Sequence, residues 1–324
     1  MAQSPTLVEI DTARRALKGR IVRTPVVGLN SAVFTEVLPA GSDVTIKLEL
    51  FQQAGSFKAR GVLLGLDGLS KKDKAAGVVA ASGGNHAIAV SWASKKAGIH
   101  AKITMPETAD PMRVEMCRKL GADVKLFKNI GAAFEEMDRL AKHEGRFIMH
   151  PFEGRHMTLG AATCGAEFAK SLSDADIFVI PVGGGGLISG MSAAIRALRP
   201  NAQIIGVEPY GADSLYRSFE AEKPVAIDKV DTIADSLGSP TALPYSYAVA
   251  RENVDEIVRI RDAEMPLAMQ LLHAGLKLAV EPGCAASLAA ILGPLREVCE
   301  GKKVGIIACG SNISLERFAK LTGM

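Results

Sequence analysis

Short apolar runs alternate along this chain with longer segments whose apolar residues return at helical spacing. That alternation predicts βαβ units, an α/β protein with mainly parallel sheet. Val44 to Phe51 (VTIKLELF) switches between apolar and polar residues and reads as a strand, with Val62 to Leu66 continuing as a short helix. Strands follow at Val78–Ala81, Ala101–Met105, Val124–Phe127 and Arg146–His150, with helices between them at Ala87–Trp92, Pro111–Leu120 and Ala132–Lys142. Further on come the strands Ile177–Val182, Gln203–Glu208, Glu256–Ile260 and Val304–Ala308. Helices are expected at Ile188–Leu198, Ala263–Ala274 and Ala285–Ile291. Residues 223–247, rich in Pro, Ser and Asp, read as irregular wrapping. Residues 76–149 can close as a small α/β unit of their own, leaving 1–75 and 150–324 as the larger one.

Bulk properties narrow the picture. A chain of 324 residues with 48% hydrophobic content can build two cores. The net charge of +3, with no basic block, points away from nucleic acid and anionic membranes. Apolar stretches break before membrane-spanning length, and the first residues lack the apolar region of a secretory signal. Five cysteines without metal spacing read as reduced thiols, which suits a cytoplasmic protein.

Chemistry concentrates in loops between strands and helices. In Gly55-Ser56-Phe57-Lys58-Ala59-Arg60-Gly61, Ser56 reads as an N-cap that puts Lys58 in the first helical turn. The dipole there disfavours an ammonium, and partial desolvation pushes a lysine toward a nucleophilic free amine. Gly183-Gly184-Gly185-Gly186, between an apolar strand and a helix, forms an anion cradle of backbone N–H groups. It has neither P-loop nor dinucleotide spacing, although Glu208 after the next strand imitates a ribose-binding acid. Ser82-Gly83-Gly84-Asn85-His86 repeats the layout and suits a carboxylate, with ordinary capping the plainer account of Asn85 and His86. Cys309-Gly310-Ser311-Asn312 ends a strand where ligands of open α/β sheets bind. A reactive lysine, a phosphate cradle and a carboxylate loop together describe a pyridoxal phosphate site for an amino acid.

The ordered set GSFKARG, SGGNHA, HPF, PVGGGGL, GVEP, TIAD, EP near 281 and CGSN resembles the threonine/serine dehydratase group, fold type II of the pyridoxal phosphate enzymes. Serine racemase belongs to the same group. The resemblance implies two open, mainly parallel twisted sheets with helices on both faces, the unit 76–149 being mobile and closing over the substrate. It implies that Lys58 carries the cofactor, Phe57 packs on its ring, Asn85 partners its 3-oxygen, and Gly183 to Gly186 with Leu187 hold its phosphate. Cys309 stands where many members have Ser beside the pyridine nitrogen, and Ser236 replaces a glycine after TIAD. Ser82, Gly83, Asn85 and His86 match the carboxylate binders, but Gly83 lacks the serine hydroxyl with which racemases reprotonate Cα. In racemase-like members a divalent cation is held at positions matching Glu208, Ala212 and Ser214, and Ser214 lacks the carboxylate that such a site wants.

The expected activity is therefore β-elimination of a 2-amino-3-hydroxy acid, L-threonine or L-serine, to a 2-oxo acid and ammonia. Alternatives within the group are a dehydratase for a bulkier or acidic 3-hydroxy amino acid and a racemase. Outside it stand an NAD-dependent dehydrogenase and a non-catalytic amino-acid-binding protein. The resemblance also implies a homodimer.

Overall fold

Ten strands arrange as two sheets in the computed structural model, which describes residues 3–324. The strands are β1 (Val26–Gly28), β2 (Asp43–Leu48), β3 (Val78–Ala81), β4 (Ala101–Pro106), β5 (Asp123–Phe127), β6 (Phe147–Ile148), β7 (Ile177–Pro181), β8 (Gln203–Pro209), β9 (Glu256–Ile260) and β10 (Lys303–Ala308). The larger sheet runs β1-β2-β10-β7-β8-β9, parallel throughout except for the β1–β2 pair, and the smaller runs β5-β4-β3-β6, all parallel. Strands β3, β7 and β10 are apolar and almost wholly buried, as parallel strands covered on both faces must be. All four strands of the smaller sheet lie within 76–149, but its core also takes Leu17, Val62, Leu63, Leu66 and Met157 from outside that segment. The helix Lys58–Asp67 thus packs its apolar side into the smaller unit's core.

Several elements differ from the sequence reading. The Val44–Phe51 strand stops at Leu48 and turns into a short 3-10 segment, Glu49–Phe51. Residues 223–247 hold only a 3-10 turn, Asp235–Leu237, an isolated bridge between Ala226 and Thr241, and the start of the helix Pro244–Asn253. A long helix, Arg155–Ser171, had no counterpart among the expected elements; its glycines and alanines pack it closely against the helices Lys58–Asp67 and Gly186–Leu198.

The polar residues at the end of β2 and just beyond it are buried: Lys47 and Glu49 are 1% and 0% exposed. They join Arg60 and Glu167 in a buried quartet. Arg60 forks onto Glu49 at 2.7 and 2.8 Å and onto Glu167 at 2.9 Å, while Lys47 Nζ lies 3.0 Å from Glu167. Thr24 donates its hydroxyl to Glu49 at 2.5 Å, and Lys47 donates to the Thr24 carbonyl. Burial alone would raise the Glu49 pKa; Arg60 and Lys47 beside it hold it below its ordinary value. The formal charges cancel, and the group bolts the helix carrying Lys58 to the end of β2 and to Arg155–Ser171. Arg60→Ala would leave two buried carboxylates sharing the single cation Lys47. It is expected to cost about 3–5 kcal/mol of unfolding free energy, read as a lower denaturant midpoint, and an unchanged midpoint would refute this role.

Candidate active site

Lys58 is the first residue of its helix, as the sequence suggested, but Ser56 does not cap it. The capping position belongs to Phe57, no side chain caps the end, and the Ser56 hydroxyl is buried without a partner. The backbone fixes this end instead. Ser56 bridges Gly310 in antiparallel fashion, Phe57 N–H donates to the Cys309 carbonyl at 3.1 Å, and Ser311 N–H donates to the Gly55 carbonyl at 3.1 Å. Gly55 has φ +68°, and a Cβ there would collide with the Asn312 side chain. Asn312 in turn donates to the Ala54 carbonyl at 2.9 Å. Lys58 and the CGSN loop are therefore neighbours by main-chain pairing.

Half-buried Lys58 directs Nζ to the Pro151 carbonyl, 4.9 Å from the centre of the Phe57 ring. Withdrawal from water pushes its pKa down to about 8. The Cys309 thiol is buried, so its pKa rises well above the ordinary value and it stays protonated.

The glycine run is a cradle that side chains would fill. Gly185 has φ +90°, a Cβ on Gly184 would run into the Phe152 ring, and one on Gly186 would lie 2.8 Å from the Phe152 carbonyl. The helix Gly186–Leu198 starts inside the run, two residues earlier than expected, so its free N–H groups face the loop. Leu187 follows in its first turn, buried. Ser246 closes one side, donating to the Gly184 carbonyl at 3.2 Å, and the 3-10 turn containing Ser236 lies against Gly183. This suits a phosphate.

Within SGGN, Ser82 accepts the Gly84 N–H at 3.1 Å, and the helix Asn85–Ala97 begins with no side-chain cap. Asn85 is not a capping residue: it donates to Glu281 at 2.6 Å and accepts from Asn312 at 2.7 Å. His86 Nε2 meets the Met149 carbonyl at 2.7 Å, so the ring donates there and Nδ1 is left without a partner. Burial lowers the His86 pKa far below its usual value. Its side chain therefore brings no positive charge to a carboxylate, and the loop's donors are the first N–H groups of its helix.

Three further features complete the site; Glu281 and His150 fall in the EP and HPF motifs, whereas Arg113 carried no signal in the sequence. Arg113, on the helix Pro111–Lys119 of the smaller unit, reaches the Asn312 carbonyl at 2.6 Å, Asp235 at 2.7 Å and Glu281 at 3.3 Å. It sits in a mostly polar helix whose pattern says nothing of a buried end. Glu281 is fully buried, and burial raises its pKa against the pull of Arg113. The third feature is a row of rings in the turn that receives Lys58. His150 lies 4.7 Å from Phe152, edge to face, and 6.2 Å from Phe134. Its Nδ1 accepts the Glu153 N–H at 3.0 Å, and burial followed by the nearby Lys58 lowers its pKa to about 4. It is a neutral ring.

At the positions matching the racemase cation site, which the sequence already made doubtful, the donors are turned elsewhere. Glu208 is buried, with its oxygens turned to the N–H groups of Leu215 (3.0 Å) and Tyr216 (2.6 Å). Ala212 and Ser214 add no carboxylate, and no cluster of three or more His, Cys, Asp or Glu able to hold a metal stands among the described residues. Burial raises the Glu208 pKa to about 8. These residues do not fit a hard divalent ion.

A hollow of about 570 Å³ lined by Asp174, Asp176, Arg199, Gln203 and Lys302 opens at the amino ends of β7, β8 and β10, the wrong end of a parallel sheet for ligand chemistry. Among the described residues no helix is long and apolar enough to cross a membrane.

Comparison with known proteins agrees with the site. Residues 17–310 match the family of pyridoxal-phosphate dependent enzymes. The chain is 44% identical to a phenylserine dehydratase from Ralstonia pickettii, covering 99% of this chain and 97% of that one. It is 35% identical to an L-threonine ammonia-lyase from Thermotoga maritima, over 98% of this chain and 78% of the relative. The solved structure of maize serine racemase superposes with a TM-score of 0.90 at 30% identity, covering 99% and 97% of the two chains. A lysine at a helix start, a glycine cradle and a neutral thiol at a strand end thus stand in the sheet framework these enzymes share, and the chain belongs to the pyridoxal-phosphate dependent enzymes of fold type II.

Proposed function

We propose that the protein is an ammonia-lyase that removes water from a 2-amino-3-hydroxy acid and releases a 2-oxo acid and ammonia. The observation that carries this reading is Lys58, an amine of lowered pKa at a helix start, together with a glycine cradle that side chains would fill. Bound pyridoxal phosphate supplies an electron sink for charge that develops at Cα. Lys58 would carry it, with Phe57 against the ring, Asn85 near its 3-oxygen, Gly183 to Gly186 and Leu187 around its phosphate, and Ser236 and Cys309 at its edge. The main-chain donors that open the helix after Ser82 and Gly83 would hold the substrate carboxylate. Lys58 Nζ would take the Cα proton and pass it to the departing 3-hydroxyl, which leaves as water, and one water then cleaves the remaining C–N bond to give the 2-oxo acid and ammonia. The segment 76–149 would close over the substrate and exclude solvent. A homodimer in the cytoplasm belongs to the same reading.

The motif set points to threonine or serine, but the wall made by Phe134, His150 and Phe152 favours an aryl group on C3. His150 and Phe152, flanking the Pro151 carbonyl that receives Lys58, with Phe134 against His150, offer apolar area and edge-to-face contacts to a phenyl group and little to a methyl. The 44% identity to a phenylserine dehydratase supports this choice.

Ammonia release from a panel of phenylserine, threonine, serine and 3-hydroxyaspartate should therefore show kcat/KM highest for phenylserine. Phe134→Ala should lower that value about tenfold, the worth of about 1.4 kcal/mol of ring contact, and leave serine nearly unchanged. Faster turnover of threonine or serine by the unaltered protein would restore the small-substrate reading. Lys58→Ala should abolish turnover and the visible absorbance of lysine-bound cofactor, while Gly185→Asp should sharply weaken cofactor affinity in a titration. Reduced cofactor recovered on another lysine would overturn the first assignment, and normal affinity in the second variant would move the phosphate elsewhere.

Gly83 bears on stereochemistry. It presents no hydroxyl to the Cα face opposite Lys58, and a one-base site returns a proton only to the face it left. L-Serine should give pyruvate with negligible D-serine, and Gly83→Ser should raise D-serine if Pro106, 3.1 Å from the new Cβ, gives way slightly. Chiral chromatography decides this: D-serine formed as fast as pyruvate by the unaltered protein would mean another group serves the second face.

A further inference from the structure

The turn after β8, where no ligand set for a divalent cation forms, has a positive charge of its own. Glu208 and Arg259 are direct partners in the parallel β8–β9 ladder, so their side chains leave the sheet on the same face. Arg259 Nη1 lies 3.0 Å from Asp213 Oδ2. Its guanidinium is 3.8 Å from the centre of the Tyr216 ring and 4.6 Å from that of Tyr210. Tyr210, Asp213 and Tyr216 all belong to the turn that Glu208 enters, so one cation from β9 is held by both flanks of the turn. Asp213 is 1% exposed and also accepts from Arg217 Nε at 2.7 Å. Glu208 secures the far side through the N–H groups of Leu215 and Tyr216. A planar, permanently charged guanidinium can pair with a carboxylate at its edge and stack on rings with its faces, which an ammonium cannot do as well.

We propose that Arg259 is the built-in cation of this turn, taking the place of a bound divalent ion, so that the protein folds and stays folded without magnesium or calcium. The turn supports the neighbouring loop. Asp231 N–H donates to the Gly211 carbonyl at 2.8 Å, and Asp231 backbone packs so closely on Gly211 that a Cβ there would overlap it. From Asp231 the chain runs to Asp235, which Arg113 holds, and to Leu237, which lies against Gly183. Arg259 is thus a positioning residue for the segment beside the glycine cradle. This holds whichever substrate the site takes.

Thermal unfolding of the cofactor-loaded protein tests the idea. After dialysis against EDTA, added magnesium or calcium chloride at millimolar concentration should move Tm by less than about 1 °C, because an ion that does not bind the folded state cannot stabilise it. Arg259→Thr should lower Tm by several degrees, and Arg259→Lys should recover only part of the loss. In the pair Ser214→Asp with Arg259→Thr, a carboxylate is added and the competing cation removed. That variant should gain stability when magnesium or calcium is added, by about 4 °C or more if the ion is present at 100 times its Kd or above. A rise in Tm of the unaltered protein with either ion, or a fall with EDTA, would overturn the proposal even if the variants fail to fold. Arg259→Thr with an unchanged Tm would overturn it as well.

Discussion

The buried quartet of Lys47, Glu49, Arg60 and Glu167 is the constraint on which the rest of the site depends. Two carboxylates and two cations removed from water are tolerable only when each is paired and hydrogen-bonded, and here they are. Such a group has few alternative geometries, because moving any member leaves a charge unmatched. Arg60 is two residues beyond Lys58, so fixing Arg60 against β2 and the helix Arg155–Ser171 also fixes where the Lys58 amine emerges. The helix Lys58–Asp67 turns its other face into the core of the smaller sheet. It is the element on which both units converge.

From that anchor the site is assembled by main chain more than by side chain. The 55–57 segment pairs with 309–311, which brings Lys58 beside Cys309 without any contact between reactive groups being needed. The glycine run, the SGGN loop and the CGSN loop each leave the carboxyl end of a parallel strand, where helix starts and unpaired N–H groups converge. Arg113 links the units across the cleft, since one guanidinium touches the Asn312 carbonyl, Asp235 and Glu281. Glu281 passes that contact to Asn85. A change of angle between the units would break several charge-assisted bonds at once, so the relative position of the units and the orientation of Asn85 are tied together.

The turn after β8 shows how a framework keeps its shape while its chemistry changes. Glu208 stands at the strand end with its oxygens satisfied by backbone N–H groups, while Arg259 from the neighbouring strand pairs with the buried Asp213. The constraint that survives is that buried negative groups need compensation; the means of compensation is free to vary.

Much of this was legible in the residues. Apolar runs alternating with helical spacing require a parallel sheet, and four successive glycines before a helix require a cradle, because both follow from local geometry. The lysine at a helix start was likewise readable, although its supposed cap was not: Ser56 is taken up by pairing with Gly310, a partner more than 250 residues away. The burial of Lys47 and Glu49 was not legible for the same kind of reason. Alternation says that two faces differ, not which face meets water, and only Arg60 and Glu167 from other elements turn the polar face inward. The helix Arg155–Ser171 escaped because glycine and alanine make close helix packing without an amphipathic stripe. Arg113 and Arg259 gave no sign, since the role of each lies in partners from distant segments. Local pattern therefore determined the elements and the anion-binding loops, while the pairing of buried charge and the stacking of rings waited on tertiary structure, because these energies depend on distances that sequence spacing does not specify.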